Sequence, residues 1–267
     1  MATWFQTRPL EAAGFRGRHA SVGTGGQTFV LLPSPLGRVG PYRATAERLA
    51  AAARVHAIEM PGSGQADRLP RPWALEEYAA WCAAALDELG VTDAAVIGHS
   101  HAGGVALLLA AMYPARVGRV VAANAIGGRP QTLGRATVGR FRDLAVEYAL
   151  AARHWSALVG SFALHPRNYL RQTRVSLDAD LTPSASKVEV PVLLAWGARD
   201  HTTPIDCARA YAHVLPRAEL YLSPAGSHCW PITHAAEFAA AVHRFVRNTT
   251  APPGADAERY GRKVTTS

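Results

Sequence analysis

Short apolar runs alternate along the chain with longer stretches in which apolar residues recur every three or four positions. The runs Thr28–Leu32, Val55–Met60, Ala94–Gly98, Val117–Ala123, Val190–Trp196 and Glu219–Ser223 are rich in β-branched residues and predict strands. Most are continuously apolar, the pattern of parallel strands covered on both faces. Between them, Leu75, Tyr78, Ala79, Cys82, Leu86 and Leu89 fall on one helical stripe, which makes Cys82 a core residue. Thr203 and Pro204 read as an N-cap and first-turn proline ahead of a helix burying Ile205, Ala208, Tyr211, Ala212 and Leu215. A helix near the end buries Phe238, Ala241, Val242, Phe245 and Val246. Strands alternating with helices predict an α/β fold built on a mostly parallel, doubly wound sheet.

Residues 127–188 break the alternation. Phe141, Leu144, Ala145, Tyr148, Ala151, Ala152, Trp155, Leu158 and Val159 form one long helical stripe with no strand signal, so the segment reads as a small helical cap. Inserted at the carboxyl ends of strands, it sits where open α/β sheets bind ligands and is a lid candidate. Its aromatics Phe141, Tyr148, Trp155, Phe162 and Tyr169 either line an apolar pocket or pack against the sheet domain. The expected organisation is a core of 1–126 and 189–247, a cap of 127–188 and a mobile tail of 248–267 containing Pro252-Pro253-Gly254. Gly23-Thr24-Gly25-Gly26 reads as a hairpin turn between the first strands; no Gly-Lys-Ser/Thr follows to make it a phosphate loop.

With 49% hydrophobic and 18% charged residues in 267, the chain buries a full core, which excludes wholesale disorder. Three scattered cysteines (Cys82, Cys207, Cys229) make neither a disulfide framework nor a zinc site, and the histidines lack metal-ligand spacing, so no cofactor or metal is expected. No apolar run approaches the roughly 18–20 residues of a membrane span, and Met1 to Gly14 has no signal-peptide run; the expectation is a cytoplasmic protein away from membranes. The net charge is +8, nearly all of the basic residues being Arg. Residues 129–174 hold eight Arg against Asp143 and Glu147, a balance of 8 − 2 = +6. No nucleic-acid motif accompanies them. They read either as a solvated surface or as a contact for an acidic or carrier-bound acyl substrate. Oligomeric state is left open.

Chemistry concentrates at Gly98-His99-Ser100-His101-Ala102-Gly103-Gly104, where a strand ends and a helix begins around a serine flanked by small residues. That is the context of a nucleophile elbow, although Ala102 stands where the GxSxG pattern has its second glycine. Asp200 follows the apolar run Val190–Trp196, and His228 follows Glu219–Leu222. A serine, an aspartate and a histidine in that order, each after a strand, resemble the α/β-hydrolase fold family. The resemblance spans roughly 15–247 and includes Glu59-Met60-Pro61-Gly62-Ser63-Gly64, the elbow, Trp196-Gly197-Ala198-Arg199-Asp200 and Gly226-Ser227-His228.

The resemblance implies that Ser100 is the nucleophile, His228 its base and Asp200 the residue that fixes the His228 tautomer. In some members the acid follows the strand after the nucleophile helix; Asn124 holds that place here and cannot serve. Asp200 is therefore chosen. It also implies an oxyanion hole from the His101 N–H and a second donor in the loop Pro33-Ser34-Pro35-Leu36-Gly37. Pro35 has no N–H, which leaves Leu36 as the favoured donor and the Ser34 side chain as another. Ser34, Pro35, Tyr148 and Trp155 are the candidate substrate contacts. The His101 side chain either touches substrate or fills space; His99 is read as packed and hydrogen-bonded to the loop, His201 as exposed, and Cys229 as an inert loop thiol. The expected function is a serine hydrolase of a small carboxylic ester, thioester or lactone. The alternatives are a lyase or cyclase using Ser100 and His228 as an acid–base relay, and a weakly catalytic ligand-binding relative.

Overall fold

Eight strands, β1 (Arg8–Ala12), β2 (Phe15–Val22), β3 (Gln27–Leu32), β4 (Ala53–Glu59), β5 (Ala94–His99), β6 (Val117–Ala123), β7 (Val192–Gly197) and β8 (Ala218–Ser223), form one sheet in the order β1-β2-β4-β3-β5-β6-β7-β8. The computed structural model describes residues 6–34, 38–151 and 164–250, with 148–151 described as helical backbone only. The edge pair β1 and β2 runs antiparallel; from β4 to β8 every pairing is parallel.

Successive residues of the central strands face opposite sides, and each side is apolar. Ala94 and Val96 of β5 join one core with α2 (Leu75–Glu88), α3 (His101–Met112) and α7 (Ile205–Val214), while Ala95 and Ile97 join the other with α1 (Arg43–Leu49) and α9 (Ala235–Thr250), which follows the short α8 (Trp230–Thr233). The expected stripes of α2, α7 and α9 are the faces these helices bury, with Cys82 in the first core. Helix α3 has no polar face because it lies between the sheet and α2, and ten of its twelve residues are buried. Thin layers of short side chains such as Ala95, Ala122, Ala123 and Ala195 let these helices and strands approach closely.

The six strands expected from apolar runs are all present, each within a few residues of its predicted bounds. β1 and β2 were not among them. β1 buries only Leu10 and Ala12, and β2 only Gly17 and Ala20, so both strands are mostly polar in composition. The hairpin lies between these two strands at Ala13-Gly14, where both residues have positive φ (45° and 78°) and Ala12 pairs with Phe15. Gly23-Thr24-Gly25-Gly26 is therefore not a hairpin: it carries the chain from β2 past β4 to β3. A Cβ at Gly25 would lie 2.6 Å from the Ala52 carbonyl oxygen, so the glycine serves a close backbone crossing. The last helix also continues to Thr250, beyond the expected start of the tail at 248; residues 251–267 lie outside the described residues.

The chain leaves β3 toward β4 and then returns to lay β5 on its other side. This reversal opens a crevice at the carboxyl ends of β3 and β5, the place where doubly wound sheets hold ligands. Above it stand α4 (Leu133–Ala151) and α5 (Pro166–Asp178), both from the segment expected to form the cap, followed by the short α6 (Thr182–Ala185). The inward face of α4 differs from expectation. Phe141 is 69% exposed and Ala145 is exposed, whereas Asp143 and Glu147 are 0% and 2% exposed. The helix packs on loop backbone that presents N–H groups, so acceptors rather than methyl groups turn inward.

Candidate functional site

Register places the site residues. Leu32 of β3 pairs with Gly98 of β5, and His99 of β5 with Ala123 of β6, so the turns after these strands start side by side. Ser100 stands at the turn into α3 with φ 59° and ψ −120°, a conformation costly for a non-glycine residue. Its neighbours show why they are small: a Cβ at Gly98 would sit 2.1 Å from the Ala102 carbonyl oxygen, and one at Gly103 would sit 2.7 Å from Ala125 Cβ. Ala102 is itself fully buried, so the methyl at the second glycine position is accommodated, and the tight contact falls one residue later.

Ser100 Oγ lies 3.1 Å from His228 Nε2, and His228 Nδ1 lies 3.0 Å from Asp200 Oδ2. Asp200 Oδ1 accepts the N–H groups of Thr202 and Thr203, both at 2.8 Å; Oδ2 receives the Thr203 hydroxyl at 2.6 Å and the Asn124 side-chain amide. Burial opposes charge on Asp200, yet the His228 ring and the Thr203 hydrogen bonds together hold its carboxyl below the usual range. An ionised Asp200 requires a proton on His228 Nδ1 and leaves the Nε2 lone pair facing Ser100, the tautomer a general base needs. Thr203, expected as an N-cap, is instead part of this carboxylate cradle. The N-cap of α7 is Pro204, with no side-chain capping bond.

His99 is buried, with Nε2–H donating to the His228 carbonyl at 2.8 Å and Nδ1 accepting from the Tyr42 hydroxyl at 2.5 Å. Tyr42 in turn receives the Ser34 N–H at 3.3 Å. The loop after β3 and the His228 loop are thus joined through the residue preceding Ser100. Burial pushes the His99 pKa down to about 3, so the ring stays neutral. The His101 N–H heads α3, where no intrahelical acceptor exists for it. The His101 side chain lines the cavity and meets Ser176 Oγ at 3.0 Å through Nδ1.

A cavity of about 310 Å³ opens over Ser100, floored by Ser34, Tyr42 and His228 and roofed by α4 and α5 through residues such as Phe141, Leu144 and Gln172. Ser34 is thus placed at the site. Pro35, Leu36, Trp155 and Phe162 lie outside the described residues, as does the Tyr148 side chain. His201 is exposed as expected. Cys229 lines the cavity, and burial pushes its thiol up to about 12 against the opposing Arg140 charge, so it carries little thiolate.

The strand-end Ser100 at positive φ, the His228 ring and the buried Asp200 carboxylate form one hydrogen-bonded series at the switch point. A profile of the alpha/beta hydrolase fold matches residues 27–149. Pimeloyl-[acyl-carrier protein] methyl ester esterase from Chromobacterium violaceum is 31% identical to this chain, the match covering 76% of this chain and 87% of the relative. The chain belongs to the α/β-hydrolase fold family. It is a hydrolase. A second relative, 2-hydroxymuconate semialdehyde hydrolase from Pseudomonas putida, is 27% identical to this hydrolase over 91% of this chain and 95% of its own. The enol-lactonase from Burkholderia xenovorans LB400 shares the fold, with a TM-score of 0.77, 20% identity and coverage of 90% of this chain and 100% of that one.

No motif marks Thr203, Asp143 or Glu147 as part of the site, and Asn124 is expected only to be unable to serve as the acid. Asn124 carries no carboxylate and instead hydrogen-bonds the Asp200 carboxylate. The acids of α4 carried a signal: they are the two negative residues of an otherwise Arg-rich segment, spaced i, i+4.

Proposed function

We propose that this hydrolase cleaves a small carboxylic ester, thioester or lactone through an acyl-enzyme on Ser100. The observation that carries the reading is the hydrogen-bonded series Ser100–His228–Asp200 at a positive-φ elbow. His228 Nε2 takes the Ser100 proton as Oγ adds to the substrate carbonyl carbon. The resulting oxyanion faces the His101 N–H and a second donor in the loop after β3, for which Leu36 is the choice because Pro35 has no N–H. Protonated His228 gives its proton to the departing alcohol or thiol, and the carbonyl re-forms on the acyl-serine. Water then adds to the acyl carbon with His228 again accepting a proton, and that proton passes to Ser100 Oγ as its bond to the acyl carbon breaks, releasing the acid and restoring the serine hydroxyl.

The cap also points to an acidic or carrier-bound acyl substrate. Arg129, Arg135, Arg142, Arg167, Arg171 and Arg174 are exposed, while Arg140 turns inward onto Glu147 at 3.2 Å. The Chromobacterium relative is named for a carrier-bound methyl ester. A cytoplasmic setting fits three cysteines that are all free thiols. No helix among the described residues is long and apolar enough to cross a membrane.

Intact mass after fluorophosphonate treatment tests the reading. One adduct on the wild type that is absent from Ser100→Ala is expected, with turnover of an ester or thioester panel. Folded wild type that takes up no label removes the acyl-enzyme and favours the acid–base lyase or cyclase.

A further inference from the structure

The inward side chains of α4 reach two loops far apart in sequence. Asp143 Oδ2 accepts the Thr202 N–H at 2.7 Å and the Thr202 hydroxyl at 2.6 Å, and the His201 N–H lies 3.1 Å from Oδ1. These residues directly follow Asp200, and the Thr202 N–H also donates to Asp200 Oδ1 at 2.8 Å. One turn along α4, Glu147 Oε1 accepts the Ser227 hydroxyl at 2.8 Å and the Cys229 N–H at 2.7 Å. Ser227 and Cys229 bracket His228. The second oxygen, Oε2, pairs with Arg140 Nη1 at 3.2 Å, which offsets the buried charge. At the other end of the contact, a Cβ at Gly139 would fall 1.9 Å from the His201 carbonyl oxygen. The helix is seated against the Asp200 loop as closely as backbone allows.

We infer that α4 is a clamp for the two loops carrying Asp200 and His228, with Asp143 and Glu147 as positioning residues that set the His228–Asp200 and His228–Ser100 distances. Neither carboxylate touches the Ser100 hydroxyl; each works through loop N–H groups adjacent to a proposed catalytic residue. Each oxygen that holds a loop is aimed by the helical spacing of residues 139, 143 and 147, which stack on one face. The consequence is a constraint on the cap: α4 cannot lift from the core without releasing both loops.

The inference rests on the Ser100–His228–Asp200 reading, and the test separates the two. Kinetic constants for an ester and the rate of fluorophosphonate labelling are measured for wild type, Asp143→Ala, Glu147→Ala, Glu147→Gln and Gly139→Ala. Wild type without label tells against the triad itself. With wild type labelled, the two alanine variants are expected to lose about tenfold in both kcat and labelling rate, with KM within about twofold. Glu147→Gln, which keeps a carbonyl oxygen for Ser227 and Cys229, is expected to recover most of that loss. Gly139→Ala, which moves the helix while keeping both acids, is expected to lower kcat like the alanine variants. Should the alanine variants fail to fold, the glutamine and Gly139 variants decide: wild-type kcat in Gly139→Ala, or a Glu147→Gln rate no better than a tenfold loss, overturns the clamp. Wild-type labelling in folded Asp143→Ala and Glu147→Ala overturns it equally.

Discussion

Asn124, the residue directly after β6, donates its side-chain amide to the Asp200 carboxylate. Its Oδ1 accepts the Trp230 indole N–H at 2.7 Å, so the orientation of the amide is fixed and the NH₂ must face the carboxylate. The residue has φ 45°, a region that asparagine tolerates better than most side chains. A neutral donor here keeps one charge, not two, in a buried cradle.

Replacing Asn124 tests that arrangement. Asn124→Ala removes a buried donor to a charged group, leaves Trp230 without its acceptor and places alanine at positive φ; a loss of about 2–4 kcal/mol in stability and roughly tenfold in kcat is expected. Asn124→Asp puts a second carboxylate against Asp200, and one of the two must hold a proton. Its raised folded-state pKa makes the destabilisation small at about pH 4 and larger at about pH 7. Urea unfolding at the two pH values checks this, and an Asp variant whose deficit is the same at both contradicts it.

The elbow makes a steric prediction. Gly98→Ala drives a methyl into the Ala102 carbonyl oxygen, a backbone atom that cannot swing aside. Hydrolysis is expected to fall by at least about a hundredfold as Ser100 Oγ and the His101 N–H lose alignment. Specific activity of the soluble, folded variant measures it; retention of more than about a tenth of wild-type activity rejects the elbow geometry.

Buried histidines link stability to pH, His19, His99 and His101 most strongly among the described residues. Burial is the main cause holding His99 at about 3 and His101 at about 4, and burial with help from His56 and Arg8 holds His19 at about 4. Each is neutral in the fold and protonates near 6.5 when unfolded, so its contribution is complete above that value. Stability is expected to fall as pH drops from about 6.5 toward about 4, because the unfolded chain binds more protons. His99→Gln should flatten the slope of unfolding free energy against pH. Parallel slopes for variant and wild type would remove His99 from this account.

The exposed arginines of α5 bear on the substrate. Arg171→Glu combined with Arg174→Glu is expected to lower kcat/KM for an acidic or carrier-bound acyl substrate by about tenfold at low salt, with little change for a small neutral ester. Added salt should erase the difference. An effect equal on both substrates, or none on either, argues for a solvated surface.

Much of this hydrolase is written in local pattern. Continuous apolar runs force strands to be covered on both sides, which dictates the parallel sheet from β3 to β8. Small residues around Ser100 announce a sharp turn, and the chain order of Ser100, Asp200 and His228 places each after a strand. Those features depend on neighbours within a few residues, so they are legible in one dimension. The edge strands β1 and β2 were less so, since most of their side chains are exposed or only half-buried and dilute the apolar signal.

Tertiary structure decided what surrounds the three residues. The sequence of α4 offers an apolar stripe through Phe141 and Ala145, yet the helix buries Gly139, Asp143 and Glu147. A helix's inner face is chosen by what it packs against, and here that is the N–H-bearing backbone of residues 201–202 and 227–229, more than fifty positions away. Asn124 and Thr203 likewise acquire meaning only when β6 and β7 lie side by side and bring their ends to one carboxylate. Periodicity records which residues avoid water; it does not record which distant polar groups will need a partner.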